Sequence, residues 1–438
     1  MEPTHVVITG FGQISPLGNT RESLTSALEQ GATGIDKLRE LPHQSFPSAY
    51  AGEARDFTGE IGDFGDVDKA QIRAIKKNLK VMCREIQMGV AAAQHAVQHA
   101  QLSAGTFDPE RAGVVYGSDY MMTLPQEFGP AVEACRNDEG KFDAALWAEK
   151  GLAGINPLWL LKYLPNMPAS HIAIFNDMRG PNNSLTLREA SSNIALGEAL
   201  TTITRGHADI IVAGATGTRV HEMRTMHIVL QEPESLQSGV DADGRHRSFD
   251  KNRNGMVLGE GAGALILETK AHAKARGATI YGEMLSQGAS MVSGGSNRAD
   301  RRRALANALK LALTEAGVTP GEIGHINAHG LATRDSDQEE AAAILDAMGD
   351  AGKKVPVVAA KSYFGNLGAA GGTVELICSL IALGKGTLFP TLNYETPDPD
   401  CPLNVVSEPL EVARDGLFVN LSFTPQGQAS AVVIRGAA

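Results

Sequence analysis

The chain has 438 residues, with 39 basic and 50 acidic side chains and a formal net charge of −11. That balance excludes a generally basic nucleic-acid binder and gives no electrostatic reason to expect attachment to an anionic membrane. Apolar residues make up 43%, enough to bury a sizeable core, and four cysteines in so long a chain do not form a disulfide framework. Residues 1–5, Met-Glu-Pro-Thr-His, show no basic-then-apolar leader, and no apolar run is expected to reach the ~18 residues of a membrane span. A reducing, cytoplasmic setting is the expectation.

The first element is the β-branched run His5-Val6-Val7-Ile8-Thr9-Gly10, which meets Gly10-Phe11-Gly12. A strand entering a glycine turn opens dinucleotide-binding folds. Here the third glycine of that fingerprint falls on Ser15, followed by Pro16, which argues against a nucleotide site. Residues 84–101 read as a buried, alanine-rich helix and 112–117 as a core strand. The stretch 120–170 carries Pro125, Pro130, Pro157, Pro165 and Pro168 and reads as an elaborated insertion. A small-residue helix from Ala190 to Arg205 precedes a strand at 208–218. After Gly263 come a strand at 264–267, a helix, a strand near 279–284 and a helix over 301–316. Strands near 324–328, 356–360 and 430–435 follow. Strands alternating with helices predict an α/β architecture with largely parallel sheets buried on both faces.

Several motifs carry a resemblance. Val7-Ile8-Thr9-Gly10-Phe11-Gly12 through Pro16-Leu17-Gly18, and Phe249-Asp250-Lys251-Asn252-Arg253-Asn254-Gly255 with Gly259-Glu260-Gly261-Ala262-Gly263, resemble the β-ketoacyl-acyl-carrier-protein synthases. Asn327-Ala328-His329-Gly330 and Lys361-Ser362 through Gly368-Ala369-Ala370-Gly371 extend the likeness nearly end to end. It explains the Gly259–Gly263 run as close backbone packing rather than a phosphate loop. The resemblance implies a thiolase-like fold, with two related α/β halves in five α-β-α-β-α layers. The halves are placed at 1–263, with the insertion at about 120–170, and 264–438. A dimer joined through a central strand is also implied, that strand being Ala112–Gly117 or its neighbour just before Arg188.

Condensation of the Claisen type needs a thiolate to carry the acyl chain, two imidazoles, and N–H donors for the oxyanion. The resemblance puts the nucleophile at a strand-to-helix turn, and counting from Gly180-Pro181-Asn182-Asn183-Ser184 that position is Glu189. A carboxylate suits a helix N-terminus but is a poor acyl carrier. Cys83, Cys135, Cys378 and Cys401 lie far from it in sequence and read as packing or surface thiols. The first histidine is His329, with Asp337 and Glu340 as its acidic supports. The second histidine position is Asn366, which donates a hydrogen bond but takes no cationic form. The loop whose backbone N–H completes the oxyanion hole matches Thr424-Pro425-Gln426-Gly427. Proline has no N–H, so this register implies the loss of one donor, about 3 kcal/mol by analogy with donor deletions. Lys361 is retained, and a Glu189–Lys361–His329 polar cluster is expected.

Nucleophile, one base and one oxyanion donor are thus all replaced. The leading expectation is a non-condensing homologue similar to the chain-length factors of polyketide synthesis, although those have glutamine rather than glutamate at the nucleophile position. Two alternatives stand beside it. One is altered chemistry on acyl-carrier-protein or CoA thioesters (decarboxylation, hydrolysis or isomerisation) using Glu189 and His329; the other is a structural homodimer or scaffold. Expected partners are an acyl carrier protein or acyl-CoA thioester, and a second copy or a cysteine-containing ketosynthase, with no nucleic acid or membrane. No cofactor and no metal is expected. Carrier docking would use Lys76, Lys77 and Lys80, or the run Arg301-Arg302-Arg303, because carrier proteins are acidic.

Overall fold

The first half of the chain supplies five principal strands: β1 (Val6–Ile14), β2 (Ala112–Ser118), β3 (Asn182–Thr186), β4 (Ile210–Thr218) and β5 (Leu258–Thr269). They lie in the order β3-β2-β4-β5-β1, with β3, β2 and β4 parallel and the β4–β5 and β5–β1 pairs antiparallel. The second half supplies β6 (Gly282–Met291), β7 (Ile323–Asn327), β8 (Pro356–Val358), β9 (Leu417–Phe423) and β10 (Gln428–Gly436). Their order, β8-β7-β9-β10-β6, and their strand senses repeat those of the first half. The two sheets join where Val6–Ile8 of β1 pair with Gly282–Met284 of β6. This computed structural model describes residues 4–39, 41, 48–103, 105–232, 235–237, 243–295 and 299–437.

Helices complete the five layers. Helix α1 (Arg84–His99) covers the outer face of the first sheet, while α2 (Ser191–Thr204) packs between the sheets. Helices α3 (Arg301–Ala316) and α4 (Arg334–Met348) cover the outer face of the second, and α5 (Gly371–Lys385) lies beside α2 in the middle. Side-chain alternation along the strands fills both faces. In β4, Ile211 and Ala213 point into the central cluster, whereas Ile210 and Val212 point to the outer one. In β10, Val432 and Ile434 point inward, and Ala431 and Val433 outward. The result is the thiolase-like α-β-α-β-α arrangement.

Several expectations change in detail. The sheet is mixed rather than largely parallel, because each half ends in two antiparallel pairs. Strand β1 runs straight through Gly10 and Gly12 to Ile14, so there is no glycine turn. Gly10 is required because a Cβ there would lie 2.7 Å from the Ala96 carbonyl of α1. The strand expected at 264–267 begins at Leu258, so the Gly259–Gly263 run lies within β5, and a division after residue 263 falls inside that strand. Strand β2 is paired on both sides, by β3 and β4. The free edge is therefore its neighbour β3, and that edge is polar: Asn182-Asn183-Ser184-Leu185-Thr186. One stretch, Gly368–Lys385, is long and apolar enough to cross a membrane by length and composition, contrary to expectation. It is a core helix here, 89% buried inside the fold.

Candidate functional site

Glu189 sits in the short turn Arg188–Ala190 that leads into α2, with its side chain buried. The turn is strained into place: Arg188 adopts φ +51°, and Ser422 Oγ of β9 donates to the Glu189 carbonyl at 2.5 Å. Two guanidiniums meet the carboxylate. Arg219 Nη2, fully buried at the end of β4, lies 2.5 Å from Glu189 Oε1, and Arg188 Nε lies 3.4 Å from Oε2. The same Arg219 nitrogen is 3.1 Å from Asp119 Oδ2, and Arg224 Nη1 is 3.5 Å from that oxygen. Arg224 Nη2 in turn lies 3.4 Å from Glu85. A buried run of ion pairs therefore extends from Glu189 through Arg219, Asp119 and Arg224 to Glu85. Burial pushes the Glu189 carboxyl up, but Arg219 and Arg188 outweigh it and hold the group well below the usual carboxylate range.

His329 stands just after β7, with its backbone N–H donating to Glu340 Oε1 at 2.6 Å and that of Gly330 donating to Oε2 at 2.8 Å. Asp337 accepts from the N–H groups of Phe249 at 2.7 Å and Ala332 at 3.0 Å. Both acids project from α4 and hold backbone loops rather than the imidazole itself. Burial pushes Asp337 up to about 7 and Glu340 up to about 8. Lys361 Nζ lies 3.1 Å from His329 Nδ1. An ammonium only donates, so Nδ1 accepts and the ring proton sits on Nε2. Burial first, and then the Lys361 charge, hold His329 well below its ordinary value, leaving a neutral imidazole.

The expected Glu189–Lys361–His329 cluster is only partly formed. Lys361 pairs with Glu375 Oε1 at 2.6 Å, so its carboxylate is Glu375 on α5, and the cation of Glu189 is Arg219. Asn366 belongs to the Glu189 side: its Nδ2 donates to Glu189 Oε1 at 3.3 Å, and its Oδ1 accepts from Gly368 N at 3.0 Å. Thr424–Gly427 form the turn between β9 and β10, closed by Gly427 N donating to Thr424 O at 2.9 Å, with Gly427 at φ +88°. Gln426 reaches back to the site, where its Oε1 accepts from Arg188 Nη1 at 3.0 Å. The structure thus brings Asn366 to Glu189 and Gln426 to Arg188, and Lys361 to His329. The four cysteines carry no disulfide, and none is among the contacts of Glu189, His329 or Lys361.

Sequence reasoning missed Arg219, Asp119 and Glu375. Glu375 had a usable signal, as the lone acid in the apolar stretch 368–383. Arg219 had a weaker one, a cation closing the apolar strand 210–218.

Chemically, the centre offers a carboxylate fixed by guanidiniums, a neutral imidazole with a free Nε2–H, and an amide.

The β-ketoacyl synthase N-terminal domain family matches residues 4–273, and the C-terminal domain family matches 278–395. The chain is 30% identical over 405 residues to the 3-oxoacyl-[acyl-carrier-protein] synthase 2 of Staphylococcus aureus (strain COL), covering 92% of this chain and 91% of that one. Its fold is similar to the ishigamide ketosynthase/chain length factor, with TM-score 0.82 and 29% identity, covering 100% of both chains. It is also similar in fold to AntDE:AntF, a type II acyl-carrier protein in complex with its ketosynthase bound to the hexaketide. There the TM-score is 0.79 and the identity 24%, again covering 100% of both chains.

Proposed function

The chain belongs to the β-ketoacyl synthase family, and on that premise we propose that it is a non-condensing member, a chain-length-factor-like subunit that pairs with a cysteine-bearing synthase of fatty-acid or polyketide synthesis. The observation that carries this reading is the buried Glu189–Arg219 ion pair at the position where the family places its nucleophile. A condensing enzyme needs a thiolate there to take the acyl chain from its carrier. A carboxylate held ionised by Arg219 and Arg188 does not form a lasting acyl intermediate. Asn366 cannot replace the second imidazole, and Pro425 offers no N–H to an oxyanion. Full-length likeness to a ketosynthase/chain length factor structure supports the pairing. The AntDE:AntF complex supports an acyl carrier protein as the protein that brings the acyl chain.

The reading of Glu189 as a general base for decarboxylation, hydrolysis or isomerisation draws no support from the geometry. Both carboxylate oxygens of Glu189 face guanidiniums, Arg219 Nη2 at 2.5 Å and Arg188 Nε at 3.4 Å, which hold it below the usual carboxylate range, whereas a general base works best poised near the working pH.

The test is reconstitution. The chain alone, supplied with acyl- and malonyl-carrier protein, is expected to give no β-ketoacyl product. Mixed with a cysteine-bearing synthase, it is expected to form a complex and to change the length distribution of the products. Condensation by the chain alone would overturn the reading. Failure to associate with any synthase, alongside stable self-association, would favour the homodimeric scaffold.

A further inference from the structure

At the far end of the ion-pair run from Glu189, Glu85 lines a cavity of about 540 Å³, within the range of small-molecule sites. Its walls include Met82, Met121, Met122 and Leu124. Unbranched thioether side chains adapt their shape to an apolar guest. The side chains of Arg219, Asp119 and Arg224, all buried, occupy the space between this cavity and Glu189. Glu189 is not among the residues that line the cavity.

The charges around it are unevenly committed. Both cations that line it are already engaged: Arg84 binds Glu260 at 2.7 Å and the carbonyls of Ala54 and Phe57, and Lys162 pairs with Glu127. Two carboxylates are less fully matched. Glu85 has Arg224 only at 3.4 Å, and Glu222 is met by the neutral Gln126 amide at 3.1 Å. A ligand carboxylate entering here would find no uncommitted cation, the Glu222 carboxylate, and the Glu85 carboxyl that burial pushes up to about 7. A hydrogen-bond donor or a cation would find an acceptor.

We propose that this cavity is a binding site for a free amphipathic molecule, with an apolar chain against the methionines and an uncharged or cationic donor head at Glu85. The site stands independently of the role given to Glu189.

The experiment is calorimetric titration of the whole chain with three probes of one chain length: n-octylamine, 1-octanol and octanoate. Octylamine and octanol are expected to bind once per chain, and octanoate at least about tenfold more weakly, the cost of burying an unpaired charge. Met122→Trp and Leu124→Trp, each filling the cavity from its lining, are expected to abolish binding while the circular dichroism of the fold is retained. Glu85→Gln should weaken octylamine binding more than octanol binding. Octanoate binding as tightly as octylamine, no binding of any probe, or unchanged binding in a folded tryptophan variant would each overturn the proposal.

Discussion

A carboxylate at the start of α2 enjoys the same favourable helix terminus that would lower a thiol's pKa, but it brings a charge that must be matched once buried. Arg219 supplies the match, and Asp119 and Arg224 extend it, so Glu189 is embedded in a network rather than poised for reaction. Restoring a thiol with Glu189→Cys is therefore expected to leave condensation at background in a malonyl-carrier assay, since Asn366 and Pro425 are untouched. Substantial turnover by that single variant would show that those two positions do not matter. Arg219→Met removes the nearest cation from two buried carboxylates, leaving Glu189 only Arg188 at 3.4 Å and Asp119 only Arg224 at 3.5 Å, and is expected to cost about 3 kcal/mol of stability, read as a shift of the urea midpoint. The pH response follows from other buried groups. His221 and His246 lie at about 4, below their ordinary 6.5, so unfolding takes up protons there and stability falls as pH drops from 6.5 toward 4. Asp337 and Glu340 act in the opposite sense. Their values are raised from 3.8 and 4.5 to about 7 and about 8, so the folded state holds their protons, and that contribution is lost as pH rises through 7 and 8. Between pH 6.5 and 8, where these histidines no longer contribute, thermal stability is expected to decline; a flat profile would contradict this assignment.

The β9–β10 hairpin shows why a proline fits at the position read as lacking an N–H donor. Pro425 takes the second position of the turn, where its fixed φ is favourable, and Gly427 takes the left-handed position that closes it. The gain in turn rigidity comes with the missing N–H. A second element bears on partner choice. The helix Lys69–Asn78 exposes Lys69, Arg73, Lys76 and Lys77, and Lys80 follows it, also exposed. The Arg301–Arg303 run is largely neutralised by α4, through Arg301–Glu339 at 2.5 Å and Arg302–Asp346 at 2.6 Å. Reversing Lys76 and Lys77 to Glu is thus expected to weaken acyl-carrier-protein binding by about tenfold at low salt and less at high salt, while Arg302→Glu has little effect. Equal losses from both clusters would contradict this distinction. Elements such as α1 and α3 are legible because their apolar spacing is local, and the helix expected at about 301–316 spans Arg301–Ala316. The partners of Glu189 and Lys361 are not, because pairing is fixed by how strand ends and helix α5 converge in space. Lys361 was given Glu189, 172 positions away, when the carboxylate 14 positions on, within the apolar α5, is the one it meets.

For the molecule as a whole, duplication gives two sheets of one topology and leaves β3 as the exposed edge of the first. The argument for a dimer from a bare apolar edge strand does not hold, since β3 is polar. Exposed apolar side chains carry the case instead: Ile174 at 66% exposed, on the helix Met167–Asn176 packed beside β3, and Leu230 at 73% on the helix Glu222–Gln231. Sedimentation velocity is expected to show a dimer at micromolar concentration, and Leu230→Glu to weaken it; a folded monomer throughout would remove the partner-subunit reading. The central claim, that the ion-paired Glu189 leaves this chain unable to carry an acyl group, has a more direct test. Intact-protein mass spectrometry after incubation with acyl-carrier-protein thioesters should return the unmodified mass of the chain, with a cysteine-bearing synthase in the same experiment acquiring the acyl increment. An acyl adduct on this chain, mapped to the peptide spanning 184–192, would contradict the account.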